Sequence, residues 1–409
     1  MEKNREFDVV VWGATGFTGA LVAEYLRDQY GVGGDLSWAI AGRSADKLAI
    51  LKANLGDDCA ALPVLQADSH DDGSLREMTR RTAVVITTVG PYALHGEPLV
   101  GACVESGTHY CDLAGETQFI RAMIDKYSDA ARDSGARIVH CCGYDSVPSD
   151  IGAWFLQREA RRLHGTTCSS IKMLVKAAKG GLSGGTFSSM LNLMEEARHD
   201  REIARMIAHP YSLNPDGERQ GPDKGEQQDI RFNEDLKAWT APFLMASVNV
   251  RVVRRSNALL GYPWGQDFRY DEAVLTGKGA TGWLKAAAMA SALGALMAGA
   301  SFDWSRDLLR NRFLPQPGEG PSREKRESGF FSMITLGQLP DGSVIRSRIT
   351  GDRDPGYGST AKMLSEVGVC LAKDELEVDG GVWTPASAMA APLLQRLTAN
   401  AGLTFDIVD

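Results

Sequence analysis

Three glycines close to the N-terminus, Gly13, Gly16 and Gly19, constrain the fold of this chain more than any other feature. They follow the mostly apolar run 7–12 and precede a helical pattern over 20–30. A strand, a glycine turn and a helix in this order are typical of the first unit of a dinucleotide-binding α/β domain. Glycine lets the backbone approach a pyrophosphate, and the helix N-terminus attracts its negative charge. We therefore predict a phosphate-binding turn, with an ordinary glycine-rich turn as the alternative.

The residues behind the second predicted strand, 36–42, indicate which dinucleotide binds. A site for NAD usually places a carboxylate there, which accepts hydrogen bonds from the ribose hydroxyls. This chain instead has Arg43, with Ser44 beside it and Lys47 one helical turn further on. A guanidinium and a hydroxyl suit a 2′-phosphate. We therefore expect NADP(H), and the alternative is that Arg43 is an ordinary solvated arginine.

Alternating strand and helix patterns continue to about residue 165 and predict a doubly wound, Rossmann-type parallel sheet. Further strands are predicted at 62–68, 83–89 and 137–142. Ligands bind at the carboxyl ends of such strands, where the first run ends in Asp68 and the second is followed by Gly90. The residues that we assign to the cofactor are Gly13, Thr15, Gly16, Phe17, Thr18, Gly19, Arg43, Ser44, Lys47, Asp68, Ser69, Val89, Gly90 and Pro91.

The length of 409 residues predicts more than one domain. We place an α/β domain at 1–165, an inserted α+β substrate domain at 166–350, and C-terminal elements that return to the first domain at 351–409. The second domain is expected to contain strands at 169–178, 248–253 and 330–349 and one helix over 186–208. After it, we predict helices at 360–373 and 384–400 and a strand at 403–408.

Composition excludes several classes of protein. The net charge of −8 argues against a nucleic-acid partner, which would require a basic surface. Seven cysteines show no CxxC spacing, so we expect reduced core residues and no metal site. The polar N-terminus fits no secretory signal. We therefore expect a cytoplasmic protein, with a homodimer as a further expectation.

An alanine-rich segment, 286–300, carries no charged residue. Its length is close to the minimum for a membrane-spanning helix, but alanine and glycine drive insertion weakly. We favour a buried or partner-packed helix. The first alternative is peripheral contact of 283–312 with the inner membrane surface, because Trp304, Arg306, Arg310 and Arg312 follow. A true membrane span is the second alternative.

Several motifs together resemble those of a known family. They are Gly13–Gly19, Ala41–Ser44, Val89–Tyr92, Tyr110–Glu116, Gly143–Asp150, Pro317–Pro321 and Gly380–Ala386. In this combination the chain resembles the saccharopine dehydrogenase-like oxidoreductases, and among them the branch of the mycobacterial trans-acting enoyl reductases. The resemblance implies a Rossmann domain with an inserted α+β domain, NADP as the cofactor, and hydride transfer. For the enoyl reductases it implies reduction of a carbon–carbon double bond in a lipid or polyketide intermediate, such as an acyl thioester.

Such a reduction also needs a proton donor and a group that polarises the thioester carbonyl. Tyr144, our first choice, and Asp145 follow the strand 137–142, while Tyr92, our second choice, and His95 follow the strand 83–89. A tyrosine hydroxyl can donate to a developing enolate, and a histidine can relay a proton at neutral pH. The alternative for each is a structural role, such as a helix cap for Asp145.

The residues Tyr110, Asp112 and Glu116 are further polar candidates in this part of the chain, and all three could simply hold loops.

Two other functions remain open at this point. A saccharopine-type dehydrogenase acting on a C–N bond would need clustered cations for its carboxylates, for which Arg251, Arg254 and Arg255 are candidates. A non-catalytic, lipid-associated NADP-binding scaffold would bind the cofactor without turnover. Fold alone does not separate these functions.

Overall fold

The computed structural model describes residues 5–181, 183–300 and 319–409. The basic residues predicted to flank the alanine-rich segment, and the first two residues of the motif 317–321, lie outside these ranges. The strands are β1 Phe7–Trp12, β2 Trp38–Gly42, β3 Val64–Gln66, β4 Thr82–Thr87, β5 His109–Cys111, β6 Arg137–Val139, β7 Ser170–Lys179, β8 Arg231–Asn233, β9 Ala238–Ala241, β10 Arg269–Gly277, β11 Phe330–Gln338, β12 Val344–Gly351, β13 Gly381–Trp383 and β14 Leu403–Val408. The helices are α1 Phe17–Tyr30, α2 Ala45–Leu55, α3 Asp72–Arg80, α4 Tyr92–His95, α5 Glu97–Ser106, α6 Thr117–Ser134, α7 Val147–His164, α8 Gly184–His199, α9 Arg201–Ala208, α10 Ala246–Leu259, α11 Gly279–Ala300, α12 Arg323–Glu327, α13 Thr360–Lys373 and α14 Pro385–Ala399.

The first sheet is parallel and has the order β13-β6-β5-β4-β1-β2-β3. Alternate residues of β1 face opposite sides, as the two-residue period of a strand requires. Val9 and Val11 pack in the core with Leu26 of α1, whereas Val10 packs on the other face with Leu75 of α3. Helices therefore cover both faces, and the predicted doubly wound α/β sheet is confirmed.

The second sheet is mixed and has the order β14-β12-β11-β7-β10-β9-β8. Strands β7 and β10 pair in parallel, and the other neighbours are antiparallel. The predicted hairpin around 339–342 is present as β11 and β12. The inserted α+β region is therefore built on its own sheet, which includes the strand β10 that the sequence analysis missed.

The prediction of a strand at 248–253 is wrong, because these residues lie inside α10. The helix is buried on almost every side, including its arginines. A short apolar run in a buried helix has the same pattern as a buried strand, so periodicity could not distinguish the two.

Two further predictions need correction. The single helix over 186–208 is two helices, α8 and α9, separated at Asp200, whose carboxylate accepts hydrogen bonds from Glu202 N and Ile203 N and so starts a new helix. The final strand, β14, does not return to the first sheet but pairs with β12 in the second. Helix α13 does pack on the first sheet, against β1, β4 and β5.

Candidate active site

The glycine turn has the geometry that close approach of a phosphate requires. Gly13 has a φ of +80°, and a Cβ atom there would lie 2.5 Å from Val89 Cγ2. A Cβ atom on Gly19 would lie 2.2 Å from the carbonyl oxygen of Gly13. Gly16 precedes α1 and has no side chain with which to cap it. The first N–H groups of α1 are therefore open to an anion, and the turn fits a pyrophosphate.

The loop behind β4 lies directly against this turn. Thr88 donates from its backbone N to Trp12 O at 3.2 Å and from Oγ1 to Gly13 O at 3.3 Å. Val89 fills the space beside Gly13. The predicted cofactor residues of the two loops, including Gly90 and Pro91, thus form one surface at the carboxyl ends of β1 and β4.

The residues predicted to contact the adenosine end follow β2 and β3, which are neighbours in the sheet. Arg43 is exposed. Ser44 has a second role, since its Oγ accepts a hydrogen bond from Lys47 N at 3.3 Å and caps α2. The Asp68 carboxylate accepts hydrogen bonds from the backbone N of His70 at 3.0 Å and from the His70 ring. These two bonds hold the pKa of Asp68 below its usual range.

A cavity of about 210 Å³ lies at the same edge of the sheet, beyond the glycine turn. The loops 88–92, 113–115 and 141–145 contribute to its wall, and α8 and residues 244–248 complete it. The apolar lining residues include Leu113, Met190, Leu193, Leu244, Met245 and Val248. This is where ligands bind in open α/β sheets, so the nicotinamide and the substrate are expected to meet here.

Asp145 is the one carboxylate among the described residues that line this cavity. Its Oδ2 accepts a hydrogen bond from Thr186 Oγ1 of α8 at 3.2 Å. Burial raises the pKa of Asp145 to about 6, and the bond from Thr186 opposes this only in part. The side chain can therefore hold a proton close to neutral pH, which a general acid requires.

The structure does not place Tyr144 or His95 on the cavity wall. The Tyr144 ring packs edge-on against Phe331 at 4.8 Å between centroids, although Gly143 and Asp145 on either side line the cavity. His95 ends α4 and faces His70 at 6.1 Å between centroids. Tyr144, our first choice of proton donor, is therefore not on the cavity wall, whereas the next residue, Asp145, is.

Tyr92 lines the cavity, but its hydroxyl is engaged in the protein. It donates to Thr87 O at 3.3 Å and accepts from Leu113 N at 3.1 Å. Burial and the charge of Asp112 raise its pKa well above the usual value. The geometry therefore gives Tyr92 a positioning role between two loops.

Two buried carboxylates also hold loops, as the alternative reading of the sequence allowed. Asp112 accepts from Ala114 N at 3.0 Å and from Cys141 N at 3.1 Å, and so aligns the loops behind β5 and β6. Glu116 accepts from Tyr92 N at 2.7 Å and from Ser189 Oγ at 2.7 Å. Glu116 therefore ties the loop behind β4 to α8, a link between distant residues that no local motif revealed.

The arginines considered as carboxylate ligands are structural. Arg254 donates to Pro210 O at 2.8 Å and to Tyr270 O at 2.9 Å, while Arg255 donates to Val382 O at 2.7 Å. Arg251 is 2% exposed. Their guanidinium groups are held by backbone carbonyls and, for Arg251 and Arg254, also by carboxylates. The three arginines therefore do not form the cationic site that the alternative of a saccharopine-like substrate requires.

Comparisons with known proteins agree with this geometry. A model of the saccharopine dehydrogenase NADP-binding domain matches residues 9–139. A Mycobacterium tuberculosis protein, provisionally named a trans-acting enoyl reductase, is 42% identical over 97% of this chain and 96% of that protein. A trans-acting enoyl reductase of Mycobacterium bovis is 38% identical over 96% of each chain. This chain belongs to the saccharopine dehydrogenase-like oxidoreductases.

Within this family the chain lies in the branch of the trans-acting enoyl reductases. The structure of apo saccharopine dehydrogenase from Saccharomyces cerevisiae shares the fold, with a TM-score of 0.53 at 10% identity over 98% of this chain and 100% of that one. The protein is an NADP-dependent oxidoreductase. The prediction of NADP(H) is confirmed, and the turn at Gly13–Gly19 with the exposed Arg43 fits its phosphates.

Proposed function

We propose that this oxidoreductase reduces the carbon–carbon double bond of an enoyl thioester with an apolar acyl chain, and that Asp145 supplies the proton. The observation that carries the proposal is the position of Asp145. It places a protonatable carboxyl in an apolar cavity beside the loop behind β4, where the nicotinamide is expected. The names of the 42% and 38% identical relatives support the same reaction.

The lining of the cavity favours this substrate over an amino acid. None of the described residues that line it is lysine or arginine. A substrate with several carboxylates would be bound without a compensating charge, which is costly in a desolvated site. An acyl chain instead loses contact with water against Met190, Leu193 and Met245.

Each residue has a separate task in the proposed reaction. Bound at the glycine turn, NADPH would supply the hydride that the β-carbon of the double bond receives. Protonated Asp145 delivers its proton to the α-carbon, so the substrate gains one hydride and one proton. Thr186 orients the carboxyl through its hydrogen bond, and α8 shields the reacting atoms from water.

The test is NADPH oxidation measured against enoyl thioesters of increasing chain length, with saccharopine and NADP⁺ assayed in the opposite direction. We expect turnover with the enoyl thioesters, a saturated product, and higher kcat/KM for longer chains. The Asp145→Asn variant should lose about 100-fold or more in kcat while it still binds NADPH. Turnover of saccharopine alone would overturn the proposal in favour of a dehydrogenase. NADPH binding without turnover of any substrate would indicate a scaffold.

A further inference from the structure

Helix α11, Gly279–Ala300, is an apolar element that the proposed reaction does not use. It is long and apolar enough to cross a membrane, yet only 11% of its most apolar 18-residue window is buried. Only three of its residues are buried, Gly282, Ala286 and Ala300. At about 1.5 Å per residue, the helix extends for roughly 33 Å. Of the favoured expectation, a buried or partner-packed helix, burial in the core is therefore wrong, and packing against a partner is untested.

The exposed surface of α11 extends around most of the helix. One exposed face carries Leu284, Ala288 and Ala295, which follow one another at helical spacing. Trp283 and Met289, which are 45% and 41% exposed, lie on two further sides of the helix. The narrow remaining stripe faces β9 and β10.

This breadth distinguishes the candidate occupants. A partner helix covers one stripe of its neighbour and leaves the rest in water. Hydrocarbon surrounds all the apolar faces of an inserted helix at once. Large apolar patches are rare on monomeric soluble proteins and mark interaction surfaces. An uncharged surface on several sides of one helix therefore fits a lipid bilayer better than a second copy of the chain.

Charge and aromatic content give α11 a direction relative to the bilayer. No charged residue occurs between Ala286 and Ala300, while Lys278 and Lys285 are exposed at the N-terminal end. Trp283 lies between these lysines. Amines bind anionic headgroups, and tryptophan is enriched at the boundary between headgroups and hydrocarbon. Since the chain has a net charge of −8, general electrostatic adsorption to such a surface is disfavoured.

We propose that α11 inserts its apolar faces into an anionic phospholipid bilayer, with Lys278, Trp283 and Lys285 at the headgroups. The helix thereby anchors the enzyme on one leaflet. Residues 279–300 belong to the second sheet's side of the molecule and do not line the active-site cavity. Membrane binding and turnover can therefore be measured separately.

The first test is flotation of the full chain with vesicles of 70% phosphatidylcholine and 30% phosphatidylglycerol. We expect the wild type to float, and the Ala288→Glu/Ala295→Glu variant to bind at least ten-fold less. The matched control, Ala122→Glu/Ala130→Glu, adds the same charges at exposed positions of α6 and should float as the wild type does. NADPH binding by each variant verifies folding. A wild type that stays at the bottom of the gradient would overturn the proposal.

The second test does not depend on the glutamate variants. All seven cysteines are buried, so a single introduced cysteine can be labelled selectively with an environment-sensitive dye. When vesicles are added, the emission of a dye on Ala292→Cys should shift to shorter wavelength. The emission of a dye on Ala130→Cys should not shift. Equal responses would overturn the proposal. A different result would assign α11 to a dimer interface: the Ala288→Glu/Ala295→Glu substitutions convert a dimer into a monomer, and vesicles do not change the emission of the dye on Ala292→Cys.

Discussion

At the scale of a single residue, Arg43 is the side chain that we propose determines the preference for NADPH over NADH. It follows the last residue of β2, its side chain is exposed, and α2 begins beside it with Ser44 as the cap. A guanidinium can bind a 2′-phosphate through two parallel hydrogen bonds. The sequence sufficed to infer this role, because a residue directly behind β2 lies at the carboxyl end of the strand, where the adenosine ribose is expected.

We expect Arg43→Ala to weaken NADPH binding by about 10- to 100-fold, because the substitution removes one or two charge-assisted hydrogen bonds to the 2′-phosphate. NADH lacks the 2′-phosphate, so its affinity should stay within about two-fold. Titration of cofactor fluorescence measures both constants. Equal losses for NADPH and NADH would contradict the assignment of Arg43 to the 2′-phosphate.

Asp145 predicts how the reaction depends on pH. Its pKa is raised to about 6, and only the protonated carboxyl can donate. In the proposed role of Asp145, the active fraction is about one half at pH 6, is nearly full about one pH unit lower, and falls about ten-fold per unit only well above pH 6. We expect kcat/KM for an enoyl thioester to follow this decline between pH 6 and 8. In the Asp145→Asn variant, the residual kcat/KM should not decline over this pH range. If the variant shows the same decline as the wild type, Asp145 is not the acid.

At the scale of elements, α8 is attached to the loops around the cavity by hydrogen bonds spread along the helix. Thr186 bonds Asp145, Ser189 bonds Glu116, and Gly184 N donates to Tyr357 Oη at 2.9 Å. Among its residues with a described environment, only Leu191 is fully buried. The helix is thus attached to the first sheet mainly by hydrogen bonds, which suits an element that must admit a substrate.

A buried polar cluster joins α10 to β10. The Glu272 carboxylate accepts from Asn249 Nδ2 at 2.9 Å and from Tyr270 Oη at 2.7 Å, and its side chain is 0% exposed. Burial raises the pKa of Glu272 to about 7. The folded state therefore holds a proton that the unfolded chain releases near pH 4.5. Stability from this group is present below that pH and is lost as pH rises towards 7.

Glu272→Gln should remove this dependence. Between pH 5 and 8 we expect the free energy of unfolding of the wild type to fall by up to about 3 kcal/mol more than that of the variant. Urea unfolding at the two pH values measures the difference. Asp150, whose burial also raises its pKa to about 7, titrates in both proteins and cancels in the comparison. If the free energy of unfolding falls equally in the wild type and the variant, Glu272 is ionised over the whole pH range.

At the scale of the whole molecule, β14 closes one edge of the second sheet. It pairs with β12 along Leu403–Val408, and Phe405 packs on Phe155 of α7 at 5.8 Å between centroids. An unpaired β12 would present free N–H and C=O groups to other chains. The segment therefore fastens the inserted region to a helix of the first domain.

Deleting residues 403–409 should lower Tm by about 5 °C or more and cause aggregation on heating. Ile407→Ser keeps the backbone pairing while it removes a side chain that is 36% exposed, and should change Tm little. Thermal unfolding followed by light scattering measures both. A deletion variant as stable as the wild type would show that β12 needs no partner strand.

The sequence by itself determined the glycine turn, the cofactor and the strands of the first sheet except β5 and β13. These depend on local rules: alternating strand and helix patterns, glycine where no Cβ fits, and an arginine directly behind a strand. The helix predicted at 360–373 depends on the same local periodicity and is confirmed.

Only the tertiary structure decided which of Tyr144 and Asp145 faces the cavity, because neighbouring side chains diverge and the packing of Phe331 selects one. It also made 248–253 a helix, and it paired β14 with β12 of the second sheet rather than with a strand of the first sheet. Burial on all sides removes the periodicity that reveals an element. Pairing between distant segments depends on the shape of the whole core, which no local pattern records.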